Sequence, residues 1–382
     1  MKFGINNLLV TLTTTTTLIA LHAIGSDAFS PLTPSQITRK PGAAAPLSAT
    51  NFDVLSDRGG VKRRRIEREW TYTEDDGTEY EGKGKFETYV FLPEGEVKGC
   101  AVFMHGFSQY TLAYRETLLR VAKKANIAII SPETGITSGI VLGELLSKPL
   151  ELIKDRNRAQ FVLQRALSED AKQCIRMVMD GEEVFKDLKI KKNTPLGVCG
   201  HSMGGGLSFP VAAEFQRINY VFTMAPAAGV PQFDPISNGV EKRTVANSML
   251  LAGSCDLIAR PTNVMEISQK SNEKKKNSST FVEIKGGLHT GFEDELVITR
   301  IPLDRIIVLV FGFNAILDLI ALAFAGFLRT NTGQLEGSEL LMEFFFDKMA
   351  NGRKVDPNAA DIYLKDNLDN LKWYNKFNIT NV

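Results

Sequence analysis

A serine between two glycines is the most chemically informative feature of the sequence. Ser202 lies at the centre of the motif Gly-His-Ser-Met-Gly, residues 200–204, which follows the apolar run 196–201 and precedes a helical pattern. In this context the motif predicts a nucleophile elbow, a tight strand-to-helix turn that exposes a strained serine hydroxyl. Glycine is needed on both sides because a side chain there would collide with neighbouring backbone. Ser202 is therefore the predicted nucleophile.

A serine nucleophile needs a general base, and the chain contains four histidines. His22 lies near the N-terminus, and His105 ends an earlier strand. His201 belongs to the elbow, where its side chain is expected to point away from the position of a base. His289 remains, and it follows the last apolar run, 280–284, so that the histidine comes after the nucleophile in the chain. Elimination predicts His289 as the base.

The base in turn needs a carboxylate that orients its ring and stabilises the imidazolium. Asp256 follows the apolar run 248–253 and lies between the serine and the histidine in chain order. Asp256 is therefore the predicted acid, and Asp234 is the main alternative.

Attack of a serine on an acyl group creates an oxyanion that needs preorganised hydrogen-bond donors. The backbone N–H of Met203, directly after the nucleophile, is one predicted donor. The other is expected in the loop after an early strand, and the apolar run 100–105 ends in His-Gly-Phe. We assign the second donor to the N–H of Phe107, which leaves His105 a structural role at the base of the loop.

The elements that must position these residues predict an α/β protein. Helical patterns occur at 112–124 and 170–188, and short apolar runs bounded by Gly, Pro, Asn or charge predict strands at 86–92, 100–105, 127–131, 196–201, 220–224, 248–253 and 280–284. This alternation predicts a mostly parallel central sheet with helices on both faces. Segments 134–169 and 293–336 are too long for simple connections and predict two cleft-side insertions.

The bulk composition narrows the function classes. The formal net charge of the 382 residues is +1, so nucleic acid is not an expected partner. The basic run 62–65 is predicted to be a solvated linker. The four cysteines show no close Cys-x-x-Cys pair. We therefore expect no disulfide framework, no metal site and no cofactor.

The N-terminal part of the chain predicts targeting information. Residues 1–28 combine a positive start, a moderately apolar stretch and small residues, as in a signal peptide. Residues 29–66 predict a transit peptide or disordered linker, so the catalytic domain is expected at 67–382. The junction Ser-Asp-Ala-Phe-Ser-Pro at 26–31 resembles the Ala-Phe-x-Pro junction of two-part plastid presequences in algae with secondary plastids. That resemblance implies a plastid destination, with simple secretion as the alternative.

A strongly apolar stretch at 306–328 is long enough to span a bilayer. It contains Asn314 and Asp318, four residues apart on one helical face, and a charge in mid-membrane costs roughly 2.5–3.5 kcal/mol. The favoured interpretation is a buried or cleft-lining helix pair. Peripheral membrane association through 306–328 is the second interpretation, and a true span is the third.

These motifs resemble a known superfamily. Residues 85–292 are similar to α/β-hydrolases of the chlorophyllase, dienelactone-hydrolase and cutinase-like group. Segment 102–132, with its His-Gly-Phe triplet and two tyrosines, looks like chlorophyllases, which hydrolyse the phytyl ester of chlorophyll to chlorophyllide and phytol. The motif at 200–205 looks more like cutinases, and plant chlorophyllases carry Arg at the position of Met203.

The resemblance implies the α/β-hydrolase fold and a serine carboxylester hydrolase whose partner is a lipophilic ester, with chlorophyllase-like activity as the finer expectation. Two alternatives stay open. One is a general lipid or short-chain esterase, cutinase-like in character, and the other is a non-catalytic binding protein of the same fold.

Overall fold

The computed structural model describes most of the chain from residue 38 onward: 38–40, 49–73, 79–106, 109–134, 156–186, 188, 190–191, 193–227, 235–256, 258–294, 332–369 and 371–380. Its strands are β1 (Thr38–Lys40), β2 (Ala49–Arg58), β3 (Val61–Thr73), β4 (Glu79–Phe91), β5 (Gly99–Met104), β6 (Ile127–Glu133), β7 (Leu196–His201), β8 (Ile218–Met224), β9 (Asn247–Gly253), β10 (Ser279–Ile284) and β11 (Phe377–Thr380). Its helices are α1 (Arg115–Ala125), α2 (Arg156–Asp180), α3 (Glu183–Lys186), α4 (Met203–Glu214), α5 (Pro235–Lys242), α6 (Pro261–Lys274), α7 (Thr332–Ala350), α8 (Pro357–Asn367) and α9 (Leu371–Tyr374), with 3₁₀ turns at Thr111–Tyr114 and His289–Phe292.

All described strands join one sheet in the order β11-β10-β9-β8-β7-β5-β6-β4-β3-β2, with β1 paired to β4. The central strands β6, β5, β7, β8, β9 and β10 run parallel to one another. Both flanks are antiparallel. In the sheet, β6 lies on one side of β5 and β7 lies on the other, so the direction in which strands are added reverses after β6. Ligands of open α/β sheets bind outside the carboxyl ends of the strands at such a reversal.

The central strands are buried because helices cover both faces of the sheet. Every residue of β5, β7 and β9 is buried, which explains why these strands read as unbroken apolar runs. Helices α1, α7 and α8 pack together as one group, and α2, α4, α5 and α6 form the other. The predicted α/β class, with a parallel central sheet between two helical layers, is confirmed.

Helix α7 covers part of one face of the sheet, against β7 and β8. The Phe222 ring of β8 lies 5.5 Å from the Phe345 ring and 6.1 Å from the Phe346 ring, measured between centroids. Gly197 of β7 permits the close approach, because a Cβ at that position would lie 2.7 Å from the sulfur of Met349. The C-terminal half of this helix therefore packs directly on β7 and β8.

The sheet extends further toward the N-terminus than the sequence predicted. Strands β2 and β3 occupy 49–58 and 61–73, inside and just beyond the segment interpreted as a transit peptide or linker. The prediction that 62–65 is a solvated linker is wrong. Arg63 and Arg65 of β3 both form ion pairs with Glu87 of the neighbouring strand β4. These charge pairs take the place of the apolar alternation that usually marks a strand in the sequence.

Helix α2 also differs from its prediction. It begins at Arg156 and ends at Asp180, where Gly181 adopts a left-handed φ of 70° that terminates the helix. The first insertion, predicted at 134–169, therefore overlaps a helix, and its residues 135–155 lie outside the described residues.

Most of the second insertion and the apolar stretch 306–328 also lie outside the described residues, as do residues 1–37. Among the helices that are described, none combines the length and the apolar character needed to cross a bilayer.

Burial suppresses ionisation of the thiols in the core strands. Cys100, Cys174 and Cys199 are buried, and Cys255 is exposed. Burial raises the pKa of the Cys100 thiol to about 12. This thiol is therefore protonated at neutral pH and packs as a small apolar side chain.

The C-terminal end of α4 is held by a single guanidinium. Arg243 donates from Nη1 to the carbonyls of Ala212 and Phe215 at 2.8 and 2.6 Å. It donates from Nη2 to the Gln216 carbonyl and the Asn219 side chain, both at 3.0 Å. A cation at this end of a helix satisfies the last carbonyls and complements the helix dipole.

We expect Arg243→Met to lower the free energy of unfolding by about 1–3 kcal/mol, because charge-assisted hydrogen bonds to carbonyls are lost. The midpoint of urea unfolding would measure the effect. Lys242→Met, at the neighbouring exposed position, is the matched control and should leave the midpoint nearly unchanged. Equal midpoints for the two variants would contradict this role of Arg243.

Candidate active site

Ser202 occupies the turn between β7 and α4 in a strained conformation. Its φ and ψ are 54° and −120°, a region that residues with a side chain rarely adopt. Its N–H donates to the Met224 carbonyl at 2.9 Å. Its own carbonyl accepts from the N–H groups of Gly206 and Ala227 at 3.0 and 2.9 Å. These bonds hold the strained residue in place from both sides.

The two motif glycines are required by close backbone packing. A Cβ at Gly200 would lie 2.5 Å from the carbonyl carbon of Gly204. A Cβ at Gly204 would lie 2.1 Å from the carbonyl oxygen of Met104. No real Cβ atom approaches another heavy atom this closely, so helix α4 can start against β5 only if both positions are glycine.

The structure brings Ser202, His289 and Asp256 into one hydrogen-bonded chain. Ser202 Oγ lies 2.8 Å from His289 Nε2, and His289 Nδ1 lies 2.7 Å from Asp256 Oδ2. Nδ1–H donates a hydrogen bond to the carboxylate, so Nε2 carries the lone pair that can accept the proton of the serine hydroxyl. All three residues are buried, with exposed fractions of 8%, 7% and 3% in that order.

The second oxygen of Asp256 is also fully used. Oδ1 accepts from the backbone N–H groups of Ile258 and Ala259, both at 2.8 Å. Together with the imidazole, these donors compensate a buried negative charge and fix the orientation of the carboxyl group. Asp234, the alternative acid, lies outside the described residues.

The predicted oxyanion donors lie in two places. Met203 is the first residue of α4. Its N–H therefore has no partner within the helix and lies at the positive end of the helix dipole. Phe107 lies outside the described residues, so its role stays a prediction. The chain just before Phe107 passes close to Ser202, because a Cβ at Gly106 would lie 3.3 Å from Ser202 Cβ. His105 Nδ1 donates to the Gly106 carbonyl at 2.9 Å, which places His105 at the base of this loop.

His201, a buried histidine to which the sequence assigned no catalytic role, contacts the backbone of His289. His201 Nε2 donates to the His289 carbonyl at 2.9 Å, and the Tyr114 hydroxyl donates to His201 Nδ1 at 2.6 Å. Burial, followed by the neighbouring His289, holds the pKa of His201 well below its usual range. His201 is therefore neutral. It is not available as a second base, because Nδ1 already accepts from the Tyr114 hydroxyl and Nε2 carries the proton donated to the His289 carbonyl.

The loop that follows His289 makes side-chain hydrogen bonds to neighbouring segments at two further points. The Gln109 amide donates to Glu293 Oε1 at 2.9 Å, which links this loop to the residues beyond Gly106. Asp294 caps α1 by accepting from the N–H groups of Glu116 and Thr117 at 2.6 and 3.0 Å. No sequence motif marks these contacts, because they join residues far apart in the chain.

In the described part of the chain, no cluster of three or more His, Cys, Asp or Glu side chains is arranged to hold a metal ion.

The position of each site residue along the sheet decides the fold. The serine follows β7, the carboxylate follows β9 and the histidine follows β10, all at the carboxyl ends of parallel strands. The serine stands on a strand-to-helix elbow, and the chain order is Ser, Asp, His. The chain has the α/β-hydrolase fold.

No family model matches the sequence, and no curated protein matches it. Solved structures of two esterases and a dienelactone hydrolase resemble it at low identity. An esterase from Pyrobaculum calidifontis is 15% identical, with 58% of this chain and 76% of that chain covered and a TM-score of 0.40. A cold-adapted esterase from an Arctic intertidal metagenomic library is 16% identical, with coverages of 63% and 91% and a TM-score of 0.44. A dienelactone hydrolase from Anabaena variabilis is 17% identical, with coverages of 60% and 93% and a TM-score of 0.38.

We expect Gly204→Ala to destabilise the protein by about 3 kcal/mol, because the new Cβ would overlap the Met104 carbonyl and force α4 away from β5. Thermal unfolding monitored by circular dichroism would measure this. Gly95→Ala is the control, since a Cβ there meets nothing closer than 3.8 Å. A Gly204→Ala variant as stable as the wild type would contradict the packing described for the elbow.

Proposed function

We propose that this protein is a serine hydrolase that cleaves a carboxylic ester. The observation that carries the proposal is the unbroken hydrogen-bonded chain from Asp256 through His289 to Ser202, with the serine at the start of α4. A non-catalytic binding protein of the same fold has no need for this arrangement, and the strain at Ser202 would serve no purpose there.

The reaction follows from the positions of the three side chains. Ser202 Oγ attacks the ester carbonyl carbon while His289 Nε2 takes the hydroxyl proton. The resulting tetrahedral oxyanion accepts from the N–H of Met203, and we assign the second donor to Phe107. His289 then returns the proton to the departing alkoxide, so that an alcohol leaves and an acyl-serine remains.

Water completes the cycle by the same route. His289 removes a proton from a water molecule, whose oxygen attacks the acyl-serine carbonyl. Collapse of the second tetrahedral intermediate returns the proton to Ser202 Oγ and releases the carboxylic acid. The carboxylate of Asp256 keeps the imidazole oriented through both steps and stabilises its positively charged form.

We further propose that the substrate is lipophilic, with the phytyl ester of chlorophyll as the specific candidate. The support is the likeness of segment 102–132 to chlorophyllases and the plastid-type junction at 26–31. The competing proposal is a general lipid or short-chain esterase, which the cutinase-like motif around Ser202 favours.

The purified protein should hydrolyse p-nitrophenyl butyrate, and Ser202→Ala should remove this activity while retaining the fold. Chlorophyll a is the second substrate, with chlorophyllide and phytol as the products to detect. Release of phytol by the wild type alone would support the chlorophyll proposal. Cleavage of the butyrate without release of phytol would favour the general esterase. No Ser202-dependent cleavage of either ester, nor of longer-chain nitrophenyl esters, would favour the binding protein.

We expect Asp256→Asn to lower kcat for p-nitrophenyl butyrate by about 10⁴-fold, because an amide no longer selects the Nδ1–H tautomer or stabilises the imidazolium. Steady-state kinetics would measure the loss. Asp366→Asn, at an exposed position on α8, is the matched control and should keep wild-type kcat. Retained activity in Asp256→Asn would direct attention to Asp234 as the acid.

A further inference from the structure

The backbone immediately before the predicted base is held by a side chain from a distant helix. The Leu288 N–H donates to Gln334 Oε1 at 2.9 Å, and Gln334 Nε2 donates to the Leu288 carbonyl at 2.8 Å. Both hydrogen-bonding groups of Leu288 are therefore satisfied by one amide. Gln334 lies in the first turn of α7, far from Leu288 in the sequence.

The amide takes the place of a neighbouring strand. Leu288 is extended, with φ −114° and ψ 159°, and it lies beyond the end of β10, where the sheet no longer supplies partners. One edge of a side-chain carboxamide presents an N–H donor beside a C=O acceptor, as one extended residue of a neighbouring strand does. Gln334 thus gives the Leu288 backbone the two hydrogen bonds that a neighbouring strand would supply, one residue before His289.

The fit between this amide and the loop is close. Gln334 is fully buried, with an exposed fraction of 0%. A Cβ at Gly291 would lie 2.3 Å from the amide carbon and oxygen of Gln334, so the 3₁₀ turn His289–Phe292 wraps directly against the amide. Glycine at 291 is required by this contact.

The helix that carries Gln334 is itself firmly anchored. Its far end packs Phe345 and Phe346 under the sheet. A Cβ at Gly333 would lie 2.0 Å from the Trp373 ring, so the start of the helix is packed against α9. The amide is therefore presented from a rigid element, which is what precise placement of a reacting group requires.

The carbonyl of His289 itself is held from another direction, by His201 Nε2 at 2.9 Å. Two consecutive carbonyls, those of Leu288 and His289, thus each accept from a buried side chain. The imidazole is held separately by Asp256. The backbone contacts set the position of the base, whereas the carboxylate sets the orientation of its ring.

We propose that Gln334 is a positioning residue for the base: by clamping the backbone of Leu288 it sets the distance between His289 Nε2 and Ser202 Oγ. This inference rests on the proposed function, since it assigns a role in that same reaction. Loss of the clamp leaves the Leu288 carbonyl with only the longer bond from the Gly291 N–H, at 3.2 Å, and removes the bond that its N–H donates to Gln334. Displacement of a reacting group by about 1 Å costs on the order of 100-fold in rate.

The first test compares two substitutions on α7. Gln334→Met keeps the length of the side chain and removes both hydrogen bonds, and we expect kcat for p-nitrophenyl butyrate to fall roughly 10- to 100-fold with KM nearly unchanged. Glu339→Gln is the matched control on the same helix, since it weakens the ion pair with Arg120, whose two contacts are both 2.6 Å. The control should keep wild-type kcat.

The second test uses Gln334→Glu, which is informative even if Gln334→Met does not fold. A neutral carboxyl group can accept from the Leu288 N–H and donate to its carbonyl, whereas a carboxylate can only accept. We expect the ratio of variant kcat to wild-type kcat to be highest at low pH and to fall as the introduced carboxyl group ionises. A purely structural effect on unfolding would leave this ratio constant at temperatures where both proteins are folded.

The outcomes separate the inference from the function it rests on. A wild type that hydrolyses esters, together with folded Gln334 variants whose kcat equals that of Glu339→Gln at every pH, would overturn the positioning role alone. An intact wild type with no Ser202-dependent hydrolysis of any ester would overturn the proposed function, and the positioning role falls with it.

Discussion

The strained backbone of Ser202 is the constraint on which the rest of the site depends. A residue with a side chain held at φ 54° and ψ −120° costs roughly 1–3 kcal/mol, and it persists only where the surroundings over-determine it. Here the surroundings are the hydrogen bonds to Met224, Gly206 and Ala227 and the tight contact between Gly204 and β5. The strain directs the hydroxyl out of the sheet toward the imidazole.

Burial and hydrogen bonding also determine the charge of the polar groups around Ser202. Asp256 is buried, and its carboxylate accepts three hydrogen bonds, two from backbone N–H groups and one from the base. His201 is equally buried but is kept neutral, because a second cation beside His289 would be desolvated and repelled. A buried anion and a neutral histidine on either side of His289 follow from these two environments.

Much of the site was predictable because its signals are local. The elbow motif, the Asp after β9 and the His after β10 each follow an apolar strand, and parallel strands bring their carboxyl ends to one edge of the sheet. The strands β5 to β10 were likewise recognised to within a few residues. Strand β3 was not, because charge pairing of its Arg63 and Arg65 with Glu87 conceals the strand pattern. Strand β2, which pairs with β3, lay in the same segment interpreted as a transit peptide or linker. The start of α2 was missed for a related reason, since it was assigned to an insertion by length alone.

The sequence by itself determined the class of fold, and it predicted which residues could do chemistry and their order along the chain. It could do so because elbow glycines and apolar runs act through neighbours in the chain. Only the tertiary structure decided which side chains hold the backbone around His289. Gln334 and His201 reach the backbone of Leu288 and His289 across 46 and 88 residues of sequence. Contacts of that kind leave no periodicity or spacing in the chain, because they depend on how α7 and β7 pack rather than on any local preference.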